Sequence, residues 1–377
     1  MKILERRLAQ QILPWLNRGK VIVITGARQV GKTTLLQELF SSRDNLIWLN
    51  ADEANVRLRL ENPSLNILQG IIGNYKLLII DEVQRIQNAG LLLKLIVDNF
   101  KDVQVIATGS SALDISETIF EPLTGRHLLF HLYPFALAEL YPTKSSFEVE
   151  QEFTFHLVFG SYPDVCKKRA GAAILLKNLA NQYLYKDILT WKNIRKPELL
   201  DKLLKLLAFQ MGSEVSYHEL ATQLNVKAET VESYITLLEK AFVVFRLRAY
   251  STNARKELSK SNKVYFWDNG IRNAILDAFQ PLELRNDIGA LWENFMISER
   301  MKMNAYVSNA TQSFFWRNYN QSEVDYLELT EGNLSAFEFK WGIKKKSNVN
   351  KAFIHAYPEA ETEVVTPLNF MRFCRII

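Results

Sequence analysis

The feature that most constrains the fold is a glycine-rich segment at residues 26–33, which lies between an apolar run and a helical pattern. Its sequence, GARQVGKT, fits the pattern G-x-x-x-x-G-K-S/T. Residues 21–25 before it are a short β-branched run, and residues 33–40 after it have the periodicity of a helix. In such a unit the glycines let the backbone wrap around phosphate oxygens, and the amides at the helix N-terminus point at negative charge. The segment therefore predicts a phosphate-binding loop.

The loop also predicts which of its residues contact a nucleoside triphosphate and Mg²⁺. Lys32 is expected to contact the β- and γ-phosphates, and Thr33 is expected to ligate Mg²⁺. The residues expected to line the bound nucleotide are Gly26, Ala27, Arg28, Gln29, Val30, Gly31, Lys32, Thr33 and Thr34.

Two adjacent carboxylates, Asp81 and Glu82, follow a second apolar run at residues 77–80. Because the carboxyl ends of parallel strands meet at one edge of a sheet, both should lie beside the loop. Asp81 is predicted to hold Mg²⁺, and Glu82 is predicted to polarise the attacking water. A third run, 103–108, ends at Thr108 and is followed by Ser110, and either residue is a candidate for sensing the γ-phosphate.

Arg126 follows Gly125 in the sequence Leu-Thr-Gly-Arg. An arginine there is predicted to neutralise charge on the γ-phosphate in the transition state, either in cis or across a subunit interface. The alternative is an arginine that anchors a loop at the surface.

Length and pattern together predict several α/β domains. The chain has 377 residues, of which 48% are hydrophobic, enough for two or three domains. Strand-like runs at 21–25, 46–50, 77–80 and 103–108 alternate with helical patterns, which predicts a parallel sheet covered on both faces. No apolar run reaches 18 residues, and residues 1–18 read as an amphipathic helix. We therefore expect no membrane segment and a cytoplasmic location.

Other common site chemistries find little support in the composition. The two cysteines, Cys166 and Cys374, are far apart, which argues against a disulfide framework or a cysteine-based zinc site. His127 and His131 flank a strand-like stretch and are interpreted as structural. The formal net charge of +5 permits contact with nucleic acid without requiring it.

The middle of the chain, residues 146–270, is predicted to be helical first and then a winged helix. Ser216 is a candidate N-cap, Asn225 ends that helix, and a second helix is expected over 227–242, followed by two strands. This region is predicted either to contact DNA or to act as an interdomain lever. Phosphate contact is expected from basic residues of the wing, not from the acidic second helix. These basic residues are Arg255, Lys256, Lys260 and Lys263.

The motifs resemble those of bacterial and archaeal AAA-type ATPases that carry a C-terminal DUF4143 domain. The resemblance rests on the glycine-rich loop, on Asp-Glu-Val-Gln after the third strand-like run, on residues 108–111, 123–126, 133–139 and 160–163, and on 217–221, 256–258 and 263–270. It implies a P-loop ATPase domain over 1–145, a winged-helix middle, and a restriction-endonuclease-like domain over 271–377. It also implies ATP, and the absence of an N-K-x-D guanine motif agrees with that.

The implied nuclease-like fold draws attention to a D…E-x-K arrangement near the C-terminus. Asp325 lies on one predicted strand, and Glu338 and Lys340 share a face of the next. Glu293, on a helix predicted over 288–301, adds a third carboxylate. Such groups bind Mg²⁺ and activate water in nucleases, and the alternative is a solvated strand face with a Glu–Lys pair.

Three functions follow from these observations. The first is an ATP-hydrolysing switch or motor with DNA as its partner. The second is a Mg²⁺-dependent DNA nuclease controlled by ATP. The third is a regulatory ATPase whose inactive nuclease-like domain binds a partner protein. A homo-oligomer is compatible with each of them.

Overall fold

The computed structural model describes residues 4–109, 121–182, 197–251, 262–307, 310–342 and 349–376. It divides the chain into two compact units. The first unit is Met1–Pro134 with Lys240–Phe242, and the second unit is Phe135–Glu239 with Val243–Ile377.

The first unit contains a five-stranded sheet in the order β2-β3-β4-β1-β5, in which all the paired strands are parallel. The strands are β1 Val21–Thr25, β2 Leu46–Asn50, β3 Leu77–Asp81, β4 Gln104–Gly109 and β5 His127–His131. The predicted α/β fold with a parallel sheet is therefore confirmed.

Described helices of the first unit include Leu8–Ile12, Lys32–Phe40, Ala54–Leu60, Leu65–Ile72 and Ala89–Asn99. The predicted helix over residues 1–18 is wrong in its extent. The α-helix ends at Ile12, and Leu13–Trp15 is a 3₁₀ turn. Pro14 has no N–H with which to continue the α-helix, and Asn17 has a positive φ of 60°.

The hydrophobic core of the first unit is built on its central strands. Every residue of β1, β3 and β4 is buried, as a parallel strand covered on both faces requires. Ile80 packs in one cluster with Leu92 and Ile96 of the helix Ala89–Asn99. The edge strand β2 is only partly buried along its length.

The second unit contains a seven-stranded mixed sheet in the order β12-β11-β10-β9-β7-β8-β6. Its strands are β6 Glu214–Val215, β7 Val244–Ala249, β8 Asn262–Phe266, β9 Gln312–Arg317, β10 Glu323–Thr330, β11 Asn333–Phe339 and β12 Glu361–Val365. The hairpin predicted at residues 331–333 joins β10 to β11 through Glu331 and Gly332, with Thr330 paired to Asn333.

Described helices of the second unit include Leu137–Leu140, Ser146–Phe159, Pro163–Lys167, Ala172–Gln182, Pro197–Phe209, Tyr217–Leu224, Ala228–Lys240, Asn269–Leu276, Ile288–Ala305, Lys351–Ala356 and Phe370–Phe373. Two predicted helix boundaries occur where the sequence placed them. Ser216 Oγ accepts the Glu219 N–H at 3.3 Å, and Asn225 ends its helix in the left-handed conformation.

The second unit joins residues that the sequence assigned to two domains, 146–270 and 271–377. β7, from the first of these ranges, pairs in parallel with β9 from the second, with Arg248 opposite Phe314. One continuous sheet therefore runs from β6 to β12, and the structure does not separate the two ranges into compact units of their own.

Candidate nucleotide site and carboxylate cluster

The glycine-rich loop leaves the carboxyl end of β1 and turns into the helix Lys32–Phe40. Gly31 caps this helix with φ 97° and ψ 29°, a left-handed conformation that favours glycine. At Gly26 a Cβ atom would lie 2.1 Å from the Leu132 carbonyl oxygen, so only glycine fits there. The loop therefore wraps closely around the N-terminus of a nine-residue helix, where an anion is stabilised.

Lys32 lies across the mouth of this loop. Its side chain is buried, and Nζ donates to the carbonyl oxygens of Gly26 and Ala27, both at 3.0 Å. These two contacts hold the Lys32 ammonium group inside the loop. The phosphate oxygens of a bound nucleotide would replace the two carbonyl oxygens as its hydrogen-bond acceptors.

Thr33 and Asp81 form the pair expected of a Mg²⁺ site. Thr33 Oγ1 donates to Asp81 Oδ2 at 2.9 Å. Adjacent oxygen ligands of an octahedral Mg²⁺ ion, each about 2.1 Å from the metal, are about 3 Å apart. The spacing of these two oxygens therefore fits a Mg²⁺ ion with a nucleotide at the loop.

Thr108, one of the two candidate γ-phosphate sensors, connects the two acidic residues. Its hydroxyl donates to Asp81 Oδ1 and accepts the Glu82 N–H at 3.1 Å, and the side chain is fully buried. A hydroxyl has a single proton to donate, and Asp81 receives it. Thr108 therefore positions the acids, whereas Ser110 lies outside the described residues.

Glu82 has a left-handed backbone, with φ 55° and ψ 44°. This conformation is unusual for a side chain of its size, and non-glycine residues that adopt it cluster at functional sites. Gln84 Nε2 donates to Glu82 Oε2 at 2.5 Å, so the carboxylate is also oriented by a side chain two residues further on.

Two further residues beside the loop were not found from the sequence. Arg6 is buried and Nη1 donates to the Val30 carbonyl oxygen at 3.2 Å. His131, at the end of β5, lies with Nδ1 2.7 Å from Thr25 Oγ1, directly before the loop. Burial lowers the pKa of His131, which favours its neutral form. Both contacts join residues more than 20 positions apart, so no local pattern marks them.

Arg126 lies at the wrong end of the sheet for the predicted cis contact with phosphate. Its carbonyl oxygen accepts the Val21 N–H at 2.9 Å, at the start of β1, whereas the loop follows the end of that strand. At about 3.3 Å per residue, a five-residue strand separates these positions by about 15 Å. Arg126 Nε instead donates to Asp98 Oδ1 at 2.8 Å. A contact across a subunit interface stays a prediction.

The second unit brings together the four residues of the predicted D…E-x-K site. Asp325 Oδ2 accepts the Phe339 N–H at 2.8 Å, and Lys340 Nζ donates to Glu338 Oε1 at 2.7 Å. Burial, with Asp325 nearby, raises the pKa of Glu293 to about 7. Burial raises the pKa of Asp325 and Glu338 as well, and each of these three acids lies in the field of another.

These carboxylates do not fit a divalent metal ion as they stand. Within the part of the chain that the structure describes, no group of three or more His, Cys, Asp or Glu side chains has an arrangement that would hold one. Glu293 Oε1 accepts the Tyr265 hydroxyl at 2.6 Å and lies 3.5 Å from Lys263 Nζ. Protein donors thus occupy Glu293 Oε1, Asp325 Oδ2 and Glu338 Oε1, whereas Glu338 Oε2 is buried without a hydrogen-bond partner.

The predicted phosphate contacts of the wing have different outcomes. Arg255, Lys256 and Lys260 lie outside the described residues. Lys263 is on β8 with its side chain only 1% exposed, so it is not a surface contact for phosphate. The sequence placed it on the correct strand but gave no sign of the acidic residues that surround it.

Over the described ranges, no helix has both the length and the apolar character needed to cross a membrane. Cys166 and Cys374 are both free thiols, and burial raises the pKa of each.

The chain matches three domain families. Residues 18–141 match the AAA domain, residues 150–282 match a domain of unknown function, DUF8612, and residues 288–371 match a second one, DUF4143. An uncharacterised protein of Mycobacterium tuberculosis is 28% identical over 345 residues, which are 90% of this chain and 74% of that protein. An uncharacterised protein of Methanocaldococcus jannaschii is 27% identical over 302 residues, which are 69% of this chain and 63% of that protein.

Among solved structures, this chain is similar to a Walker-type ATPase of Pyrococcus abyssi. The two are 15% identical with a TM-score of 0.49, and the match covers 73% of this chain and 96% of that one. The family predicted from the motifs is confirmed by the AAA and DUF4143 matches. The chain thus combines an AAA domain with a C-terminal DUF4143 domain, and its relatives include bacterial and archaeal proteins.

Proposed function

We propose that the first unit binds ATP with Mg²⁺ and hydrolyses it, so that the chain acts as an ATP-dependent switch. The observation that carries this proposal is the continuous network Thr33–Asp81–Thr108–Glu82 at the mouth of the glycine-rich loop. A loop that only bound phosphate would not require a second carboxylate whose backbone and side chain are both fixed in place.

Each residue of this network has a distinct task in the proposed reaction. Lys32 holds phosphate oxygens, Thr33 and Asp81 hold Mg²⁺, and Glu82 orients the attacking water and takes up its proton. Bound Mg²⁺ would supply charge stabilisation at the phosphate oxygens. Thr108 and Gln84 are positioning residues, since both act through the acids and not on the substrate.

The decisive experiment compares Lys32→Ala with Lys76→Ala in ATP binding and steady-state ATP hydrolysis. Lys76 belongs to the same unit, and its side chain is 61% exposed. The proposal expects Lys32→Ala to lose nucleotide binding or turnover and Lys76→Ala to keep both. Wild-type activity in a folded Lys32→Ala variant would refute the assignment of this site.

We infer that the second unit is the output module and is not a metal-dependent nuclease. Two observations support this over the nuclease alternative: no group of three or more His, Cys, Asp or Glu side chains among the described residues is arranged to hold a metal ion, and Lys263 Nζ lies beside two of the acids. Helices Tyr217–Leu224 and Ala228–Lys240, followed by paired strands β7 and β8, follow the order of a winged helix, which would contact DNA or act as a lever.

DNA and a regulatory protein partner can be separated by measuring ATP hydrolysis with and without duplex DNA. Glu229 and Glu232 are exposed on the helix that would face DNA, so acidic side chains oppose phosphate there. The regulatory reading therefore expects no stimulation of hydrolysis by DNA. Stimulation that weakens steeply as salt is added would favour the DNA reading instead.

A further inference from the structure

The carboxylate cluster of the second unit contains a buried lysine that the D…E-x-K pattern does not include. Lys263 enters from β8, and its Nζ forms an ion pair with Glu323 Oε1 and lies 3.5 Å from Glu293 Oε1. The side chain of Lys263 is 1% exposed, whereas its two acidic partners are 17% and 29% exposed. The ammonium group is therefore the innermost charge of the cluster.

Neighbouring groups fix the lysine in this position. Tyr265, two residues further on β8, shares its face and donates to the same Glu293 oxygen at 2.6 Å. Lys263 Nζ also lies 5.4 Å from the centre of the Phe315 ring, within the range of a cation–π contact. Strand β8 thus supplies both an ammonium group and a hydroxyl to Glu293.

The protein itself supplies three cationic side chains to the four carboxylates of the cluster. Besides Lys263, Lys340 pairs with Glu338 at 2.7 Å, and Arg317 lies 3.8 Å from Glu323 while pairing more closely, at 3.1 Å, with Glu214 outside the cluster. The carboxylates are those of Glu293, Glu323, Asp325 and Glu338, and the cations are Lys263, Lys340 and Arg317. A divalent ion added here would meet a buried positive charge beside two of its acidic ligands, and charges interact strongly at such depth.

We propose that Lys263 is the resident cation of this cluster and that its ammonium group excludes a divalent metal ion from Glu293, Glu323 and Asp325. The cluster is then an internal ion-pair lock that ties β8 to β10 and to the helix Ile288–Ala305. The three neighbouring carboxylates raise the pKa of Lys263 to about 12, against the effect of burial, so the lysine stays charged.

This inference deepens the proposal that the second unit is not a metal-dependent nuclease, and it rests on residues separate from those of the ATP site. Its test is Mn²⁺ binding to the full chain without nucleotide, followed by the paramagnetic resonance of free Mn²⁺. All variants carry Asp81→Asn, which removes the metal ligand of the first unit. Failure of the ATPase proposal would therefore leave this readout unchanged.

The background protein is expected to bind Mn²⁺ only weakly, with an affinity that does not depend on Asp325. Lys263→Met, which removes the charge and keeps the bulk, is expected to bind Mn²⁺ about tenfold tighter or more, because a like charge beside the ion is gone. Adding Asp325→Asn to Lys263→Met should abolish the gain. Lys263→Arg keeps the charge and should bind no better than the background protein.

Lys302→Met is the matched control. Lys302 is a second buried lysine of the same unit, 2% exposed and 2.7 Å from Glu299. It should lose stability without gaining Mn²⁺ affinity.

Two results would overturn the proposal. One is Mn²⁺ binding to the background protein that disappears with Asp325→Asn. The other is a folded Lys263→Met variant that binds no tighter than the background. If Lys263→Met is unstable, thermal unfolding with and without Mn²⁺ decides the matter: a rise in Tm confined to this variant supports the proposal, and an unchanged Tm rejects it.

Discussion

Thr108 contacts both acids of the candidate nucleotide site. Replacing it with valine keeps the shape but leaves Asp81 Oδ1 without its donor and the Glu82 N–H without its acceptor, while Thr33 still donates to Asp81 Oδ2. We expect Thr108→Val to reduce kcat for ATP hydrolysis by about 10- to 100-fold, the range typical of groups that orient ligands and general bases. The loss should be in kcat more than in nucleotide affinity, since Lys32 and the loop are untouched.

Thr108→Ser is the matched variant for this prediction, because it keeps the hydroxyl and removes only a methyl group. It should retain most of the activity. If valine and serine variants hydrolyse ATP at equal rates, the hydroxyl does not position the acids.

Some residues of the candidate nucleotide site were predicted from the sequence, and others were found only in the structure. Lys32, Thr33, Asp81 and Glu82 were predictable because each follows an apolar run within one short segment. Arg6 was not, since its contact with Val30 joins residues 24 positions apart. Site residues that lie together in one short segment form a recognisable motif. Site residues from distant segments are brought together only by the packing of the whole unit, so no motif contains them.

His156 gives the second unit a pH dependence. It is fully buried, with Nδ1 3.0 Å from the Gly160 carbonyl oxygen and Nε2 2.5 Å from the Tyr141 hydroxyl. Burial lowers its pKa to about 4, whereas an unfolded histidine titrates near 6.5. As pH falls below about 6.5, His156 is protonated in the unfolded chain but stays neutral in the native state. The free energy of unfolding therefore falls, by up to about 3 kcal/mol near pH 4.

The check compares urea unfolding of wild type and His156→Asn between pH 7 and pH 4.5. Asparagine can still donate to the Gly160 carbonyl but does not titrate. The variant should be less stable at pH 7 and should lose less stability on acidification than wild type. Parallel curves for the two proteins would contradict the assignment of the slope to His156.

At the scale of elements, sequence was most informative where burial is uniform. The runs of β1, β3 and β4 are apolar throughout because both faces are covered, and they were predicted to within a residue or two. β12, with the sequence Glu-Thr-Glu-Val-Val, was missed because its polar half gives no apolar run and its partner β11 lies across a helix. Such an edge strand is identified by its hydrogen-bonded pairing in the structure more than by the hydrophobic pattern of its sequence.

The β10–β11 hairpin provides a test at this scale. Gly332 has φ 87° and follows Glu331 with φ 52° in a two-residue turn, so both positions are left-handed. Gly332→Ala should destabilise the second unit by about 1–2 kcal/mol, the cost of that conformation for an L-residue. Thermal unfolding measures the change.

Gly289→Ala is the natural control for Gly332→Ala. Gly289 lies in the helix Ile288–Ala305, and a Cβ there would have no neighbour within 4 Å. Alanine should stabilise that helix by about 0.5–1 kcal/mol. Opposite signs for the two substitutions are expected, and destabilisation of equal size in both would argue against the turn geometry.

At the scale of the whole chain, family boundaries and compact units differ. The DUF8612 match ends at residue 282 and the DUF4143 match begins at 288, yet both lie within the second unit. The sequence could not predict this because β7 and β9 pair in parallel with more than 60 residues between them. No local sequence pattern indicates that two strands so far apart pair in parallel. A domain boundary placed near residue 270 therefore divides the sheet.

The same pairing makes a prediction about fragments. Asn294, on the helix Ile288–Ala305, is fully buried, accepts the Phe266 N–H at 2.7 Å and donates to the Phe266 carbonyl oxygen at 3.0 Å. A fragment of residues 271–377 lacks β7 and β8, which exposes the edge of β9 and leaves this amide without partners at about 1–3 kcal/mol per unsatisfied group. It should unfold without a cooperative transition and be digested rapidly by protease.

A fragment of residues 135–377 keeps the whole sheet and should unfold cooperatively and resist digestion. Cooperative unfolding of 271–377 alone would mean that β9 to β12 form an independent domain, and the seven-stranded sheet would then be an association of two folded parts.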